Sequence, residues 1–373
     1  SKRLVKLVQA YAIKHHLPET RYHYLLSLCA LSIASDIVPI TGENRILAYY
    51  GLKVLNTHPT IGMSAILHIA GLEGKEITIS DLGFKVGPRI NACGRMKSGI
   101  EAVRLLLTDD AAYAEQLALA INRYNTERRE YDTTTTQEAL AMLAQDPDNA
   151  SKHTTVVYSP SWYKGVIGIA ASRLTETYYR PTIVFTAAEG GLICGSARSV
   201  SDFNIYEAID SCRDLLTNFG GHLYAAGLSM KEENLAAFKE RFEQYVTAHI
   251  TVEQQMPCIS IEDEISLAQI TPHFFSVLKH LEPYGPGNPR PVFMTRHLIN
   301  NRYTRRVGEM GKHLKSDLTD RTAAIGGIAF GKGDIALYIQ NGNEVDACYE
   351  LEENTFNGRT AIEMRIVDII PSK

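Results

Sequence analysis

An α/β multidomain chain that ends in a small β domain is what this sequence predicts, and three patterns predict it. Apolar residues recur at helical spacing through the first 72 residues and again over 110–143. From Thr154 onward, strand-like and helix-like segments alternate, the mark of an α/β domain. Beyond Pro257 the chain breaks into short strand-like runs.

Taken in order, the helical spacing places helices over 4–15, 21–34, 43–56 and 60–71. The stretch 73–99 is rich in glycine and less regular. Helices follow over 100–107 and 110–143, the second long and heavily charged, with a weak spot at 133–136. A long polar helix suits a bridge through solvent between domains. At ~1.5 Å per residue this one spans roughly 50 Å. The α/β region then reads as strands over 154–159, 181–186, 191–199 and 227–230, with helices over 165–179, 205–215 and 232–248. In the last part, strands are expected over 258–265, 292–299, 313–320, 322–330, 344–351 and 360–369, with one helix over 271–281. That pattern fits a small barrel, with the OB-fold as one form of it.

Composition narrows the function. A length of 373 residues, 45% hydrophobic and 21% charged, describes a soluble protein of two or three domains. The net charge of −4 gives no global attraction to nucleic acid, so any polyanion site must be local. Six scattered cysteines without a C-x-x-C pair argue against zinc clusters and disulfide frameworks, and for a reducing cytoplasm. No apolar run is long enough for a bilayer, so no membrane partner is expected. The chain opens with serine directly into an uncapped amphipathic helix, which reads as a piece cut from a longer protein.

Several short motifs carry phosphate chemistry. In NFGGHLYAAG, Gly220 and Gly221 allow backbone to approach a ligand, and His222 adds a directed donor; a turn with a structural histidine competes with that reading. CGSARS offers Ser196 and Arg198 two residues apart on a strand, hence on one side, where both reach oxygens of one phosphate; a polar strand edge is the alternative. KVGPRINACGRM holds Arg89, Asn91 and Arg95 among glycines, a further guanidinium source or an ordinary surface loop. The helix beginning near Gly165 can turn its N-terminus to a phosphate. Asp36, in ASDIVPITGENR, is either an oxygen donor for a hard divalent cation or a helix cap. Adjacent His15 and His16 end a helix, where histidine suits the dipole better than a metal. Between residues 296 and 321, seven basic residues, Arg302 and Arg305 among them, outnumber three acids. With Tyr303 and Phe293 close by, the run suits single-stranded nucleic acid or a solvated loop.

Taken together and in order, ASDIVPITGENR, VGPRINACGRM, N-x-E-R-R at 125–129, GVIGIAASRL, GSARS, GGHLYAAG and EPYGPGNPRPVF resemble the RecJ family of single-strand-specific 5′→3′ exonucleases, within the DHH phosphoesterase superfamily. The resemblance implies the C-terminal part of a DHH catalytic domain over 1–108, a connecting helix over 109–150, a DHH-associated domain over 151–252 and an OB-fold over 256–373. It further implies two Mn²⁺ or Mg²⁺ ions in the intact protein, with Asp36 a metal ligand. Asp36 and His222 would be catalytic, while Arg89, Asn91, Arg95, Ser196, Arg198, Gly220, Gly221, Arg302 and Arg305 would hold substrate. Single-stranded DNA is the implied partner, with a single-strand-binding protein and a RecQ-type helicase beside it, in DNA repair and recombination.

Two departures qualify this. No D-H-H occurs in the chain, so it is expected to be a truncated and inactive fragment. Tyr163 stands where many members of the family carry histidine. A non-catalytic single-strand-binding protein and a small-nucleotide phosphodiesterase are the alternatives.

Overall fold

The computed structural model describes residues 2–16, 24–356 and 358–372. Helices α1 (Lys2–Lys14), α2 (Tyr24–Ser35), α3 (Gly42–Thr57) and α4 (Ile61–Ile69) open the chain. Positions 21–23 of the expected second helix fall outside the described residues. The glycine-rich stretch departs from expectation, because it is helical. It forms α5 (Ile79–Asp81), a π-helical turn (Leu82–Val86) and α6 (Gly87–Met96). Thr78 and Asp81 cap α5 reciprocally, and Pro88 occupies the first turn of α6, where its missing N–H costs nothing.

Next come α7 (Ile100–Leu107) and α8 (Ala111–Gln145). Two expectations fail at α8. The threonine run does not interrupt it, and it is no solvent bridge. Ala114, Leu117, Ala118, Ile121, Ala139 and Leu143 are buried along it, against α4, α6, α7 and a later helix, α9 (Ile167–Tyr178). Its apolar stripe is narrow and built partly of alanine, so the charged remainder conceals it.

The α/β region runs β1 (Thr155–Tyr158), α9, β2 (Thr182–Ala187), β3 (Leu192–Arg198), α10 (Ile205–Asp210), β4 (Asn218–His222), β5 (Ala225–Lys231) and α11 (Leu235–His249). The last part runs β6 (Asp263–Glu264), α12 (Pro272–Lys279), β7 (Phe293–Val307), β8 (His313–Thr319), β9 (Ala324–Ala329), α13 (Ala336–Gln340), β10 (Val345–Phe356) and β11 (Arg359–Pro371). Among the described residues no helix is long and apolar enough to cross a membrane.

The chain divides into two compact units. One holds His58–Glu76 and Gly83–Cys258. Its sheet has the order β1-β2-β3-β5-β4, with β1 and β2 parallel and the other pairs antiparallel. Alternation along the strands sends Ile183, Phe185, Ile193 and Ala197 to one face, against Phe238 and Phe242 of α11. Val184 of the opposite face packs with Ile167, Ala171 and Leu174 of α9 and with Leu143 of α8.

The other unit holds Ser1–Thr57, Ile77–Leu82 and Ile259–Lys373. Its sheet has the order β10-β11-β9-β8-β7-β6, and a β10–β7 pairing closes five of the strands into a barrel. Leu298, Leu314, Leu318, Val345 and Met364 fill it. Phe293 is buried there too, which removes it from any role in stacking bases. The strand expected over 258–265 shrinks to Asp263–Glu264, since most of its side chains are exposed. Helices α2 and α3 belong to this unit, and EPYGPGNPRPVF is where they meet the barrel. The N–H of Ile40 donates to the Pro286 carbonyl at 2.6 Å, and Arg45 donates to the carbonyls of His280, Leu281 and Glu282. A Cβ at Gly285 would lie 2.5 Å from Ile40 Cγ1, so this seam admits only glycine there.

Candidate functional site

Of the predicted residues, Ser196, Arg198, Gly220 and His222 share one face of the first unit's sheet, and the register explains how. Strand β3 alternates, so Ala197 faces the core while Ser196 and Arg198 share the other side. Across the ladder Arg198 stands opposite Ala225, and Ala225 opposite His222. In the next row Ser196 faces Gly227, and Gly227 faces Gly220. Residues directly opposite in a ladder project to one face. Arg198, Ser196 and His222 therefore do so, with Arg198 and His222 two strands, or roughly 10 Å, apart. Nothing lies within 4 Å of a Cβ built on Gly220 or Gly227. The sheet between the arginine and the histidine is thus open backbone. The glycine–histidine stretch is an edge strand, not a turn.

Arg198 Nη1 donates to Ser196 Oγ at 2.9 Å and to the Ala197 carbonyl at 2.7 Å. Helix α9 starts against this pair. A Cβ at Gly168 would come within 2.9 Å of both Ser196 Oγ and Arg198 Nη2, so the glycine lets the first turn of the helix reach them. The helix dipole adds positive potential at that point.

Around this centre the structure collects further guanidinium groups. Arg95, in the last turn of α6, donates from Nη1 to the Gly165 carbonyl at 3.1 Å. Burial lowers the pKa of Arg198, and neighbouring Arg95 lowers it further, which marks two like charges held close. Sequence reasoning missed what lies beneath. Asp132 of α8 is fully buried, with Arg173 Nη2 at 2.7 Å and Arg128 Nη1 at 3.8 Å from Oδ2. Burial raises the Asp132 pKa, against the opposing pull of Arg173, Arg128, Arg95 and Arg129. Arg128 also donates to the buried amide of Asn125 at 2.8 Å. The N-x-E-R-R stretch thus supplies Arg128 together with its anchor, Asn125. The i,i+4 spacing of Arg128 and Asp132 was the one local signal for this arrangement.

The other predicted residues are placed differently. Arg89 belongs to the packing of α6 on α8, donating from Nε to Asn122 at 3.0 Å and from Nη1 to the Lys85 carbonyl at 2.6 Å. Burial, then Arg129, lowers its pKa. Asn91 is half-buried on the same helix. His222 is exposed, and its Nδ1 accepts the Tyr224 N–H at 3.3 Å, which leaves Nε2 as the donor of the neutral ring. Ser199 is tied to the Phe203 carbonyl at 2.7 Å.

Asp36, Arg302 and Arg305 belong to the other unit. Asp36 is exposed in the turn after α2. Among the described residues no three His, Cys, Asp or Glu side chains form a group that could hold a metal. In the basic run, Arg296 pairs with Glu264 and Asp346, Arg302 with Asp317, Arg306 with Asp334, Lys315 with Glu363 and Arg321 with Glu344. Arg305 instead lies 5.6 Å from the ring centre of exposed Tyr303.

A DHHA1 domain model matches residues 151–248, and a RecJ OB domain model matches 261–368. Those two modules in tandem define the class, a DHH-associated domain coupled to an OB-fold. Similarity extends well beyond them. The chain is 31% identical over all 373 residues to the single-stranded-DNA-specific exonuclease RecJ of Bacillus subtilis, and covers 47% of it. It superposes with a TM-score of 0.83 on the crystal structure of Thermus thermophilus RecJ in complex with Mg²⁺, at 32% identity, covering 97% of this chain and 54% of that one. The Mn²⁺ complex of the same protein gives 0.81 at 32% identity, covering 97% and 51%. The chain is similar to these RecJ proteins along its whole length, and it spans about half of theirs.

Proposed function

We propose that this chain is the part of a single-stranded-DNA-specific 5′→3′ exonuclease that captures the terminal 5′ phosphate and guides the strand behind it. One observation carries the reading: Arg198, Ser196 and Arg95 gather at the N-terminus of α9, beside a glycine-lined open strip that ends at His222. Two guanidinium groups and a hydroxyl match the oxygens of a dianionic phosphate monoester better than those of an internal diester. The open backbone of Gly220 and Gly227 leaves room for the strand, and His222 Nε2 can donate to a following phosphate. In the OB barrel, Tyr303 and Arg305 suit a base and a phosphate of a single strand.

In the relatives' structures the divalent cation is Mg²⁺ or Mn²⁺. Such an ion, bound in a longer protein, would activate water and offset charge at phosphorus. Here Asp36 is the one proposed oxygen donor. The partners that suit this activity are a RecQ-type helicase, which frees single strands, and a single-strand-binding protein, which coats them.

The test is titration of the chain with single-stranded oligonucleotides that differ only in a 5′ phosphate or 5′ hydroxyl. The phosphorylated strand should bind tighter, and EDTA should leave that preference intact because side chains create it. Equal affinities would overturn the proposal.

A further inference from the structure

We infer that Tyr163 is a positioning residue that fixes Arg95 at the phosphate site, through a two-way clasp between α6 and the segment leading into α9. The inference rests on the phosphate reading above. The Tyr163 hydroxyl lies 3.1 Å from the Arg95 carbonyl and 3.4 Å from that of Met96, at the C-terminal end of α6, where carbonyls lack helical partners. In return, Arg95 Nη1 donates to the carbonyl of Gly165, two residues beyond Tyr163. The backbone of each segment is therefore held by a side chain of the other.

The Tyr163 ring is braced as well. It stacks on Tyr131 of α8 with centroids 5.0 Å apart and planes 22° from parallel. Tyr131 immediately precedes Asp132, the buried carboxylate beneath the arginines. One turn of α8 thus supports Arg95 from behind and anchors Arg128 and Arg173. Such bracing has a physical purpose. Arg95 and Arg198 are like charges held close, and the bond to the Gly165 carbonyl holds Arg95 against that repulsion. A guanidinium held in place before binding loses less entropy when phosphate arrives.

Tyr163→Phe removes the hydroxyl and keeps the ring. The quantity to read is the ratio of affinities for 5′-phosphorylated over 5′-hydroxyl single strands, measured on the full chain in wild type, Tyr163→Phe, Arg95→Ala and the double variant. Loss of one hydrogen bond should cut the ratio roughly three- to tenfold in Tyr163→Phe, with affinity for the 5′-hydroxyl strand unchanged. Arg95→Ala should cut it further, and adding Tyr163→Phe to Arg95→Ala should change nothing more. A merely structural tyrosine would weaken both ligands alike and lower the melting temperature. An unchanged ratio in Tyr163→Phe, or effects that multiply in the double variant, overturns the inference. If Arg95→Ala and Arg198→Ala both leave the ratio intact, the phosphate reading itself has failed.

Discussion

Two regions of this molecule hold similar numbers of basic residues and present very different charge. Around α9, Arg95, Arg128, Arg129 and Arg173 all act on the buried carboxylate of Asp132, with Arg198 beside Arg95 and Arg89 beside Arg129. Along β7 and β8, five of the seven basic residues between 296 and 321 each meet a carboxylate. The first region holds more guanidinium charge than Asp132 balances, and the proposed ligand of that surplus is a phosphate. In the second, most of the charge is paired within the barrel, while Arg305 lies against the ring of Tyr303 instead. Density of lysine and arginine in sequence is therefore a poor measure of phosphate affinity; what counts is the charge left unpaired after folding.

That contrast can be broken most severely at Asp132. Asp132→Ala leaves Arg128 and Arg173 without their counter-ion, and should cost about 3–5 kcal/mol in urea unfolding. Glu264→Gln, which breaks an exposed pair of the barrel, should cost less than about 1 kcal/mol. Similar losses at both sites would erase the distinction.

Next in size is a pH effect on the barrel side, where a buried polar group is satisfied by a neutral partner. Burial pushes the Tyr349 hydroxyl from 10.0 up to about 12, and the Thr295 hydroxyl lies 2.7 Å away. The raised pKa gives stability that is complete below pH 10 and lost on the way to 12, on the order of 3 kcal/mol in all. Tyr349→Phe should flatten that slope in alkaline melts. An equal slope in wild type and variant would contradict the assignment.

Binding changes at the barrel should be smaller and blind to the 5′ end. Tyr303→Ala should weaken single strands by about 1–2 kcal/mol whether or not they carry a 5′ phosphate. Arg302→Ala, at an exposed side chain 3.9 Å from Asp317, should change affinity by less than about 0.5 kcal/mol. Anisotropy titrations with both strand types resolve these outcomes.

Much of this was legible in the sequence, and what was not shares a cause. Period and punctuation gave α7 at its observed limits and the strand–helix alternation of the first unit, because local patterns encode those. Ser196 and Arg198 could be paired from their spacing alone, since strand geometry dictates it. The glycine-rich stretch hid α6, because helix formation there depends on packing against α8 rather than on propensity. Pairing of the basic run was invisible because most of its acids come from distant segments: Glu264, Asp334, Glu344 and Glu363. Arg173 reaches Asp132 from another helix, and Tyr163 reaches Arg95 across 68 residues. Neither contact leaves a mark at either end of the sequence.

The preference for a 5′-phosphorylated over a 5′-hydroxyl single strand, compared between Arg198→Ala and Arg305→Ala, bears most directly on the whole account. Arg198→Ala should collapse it by roughly 10- to 100-fold, the value of a charge-assisted contact. Arg305→Ala should weaken both strands and leave their ratio untouched. If the ratio survives loss of Arg198, or falls with Arg305 instead, the terminal phosphate is not held where the surplus of arginines places it.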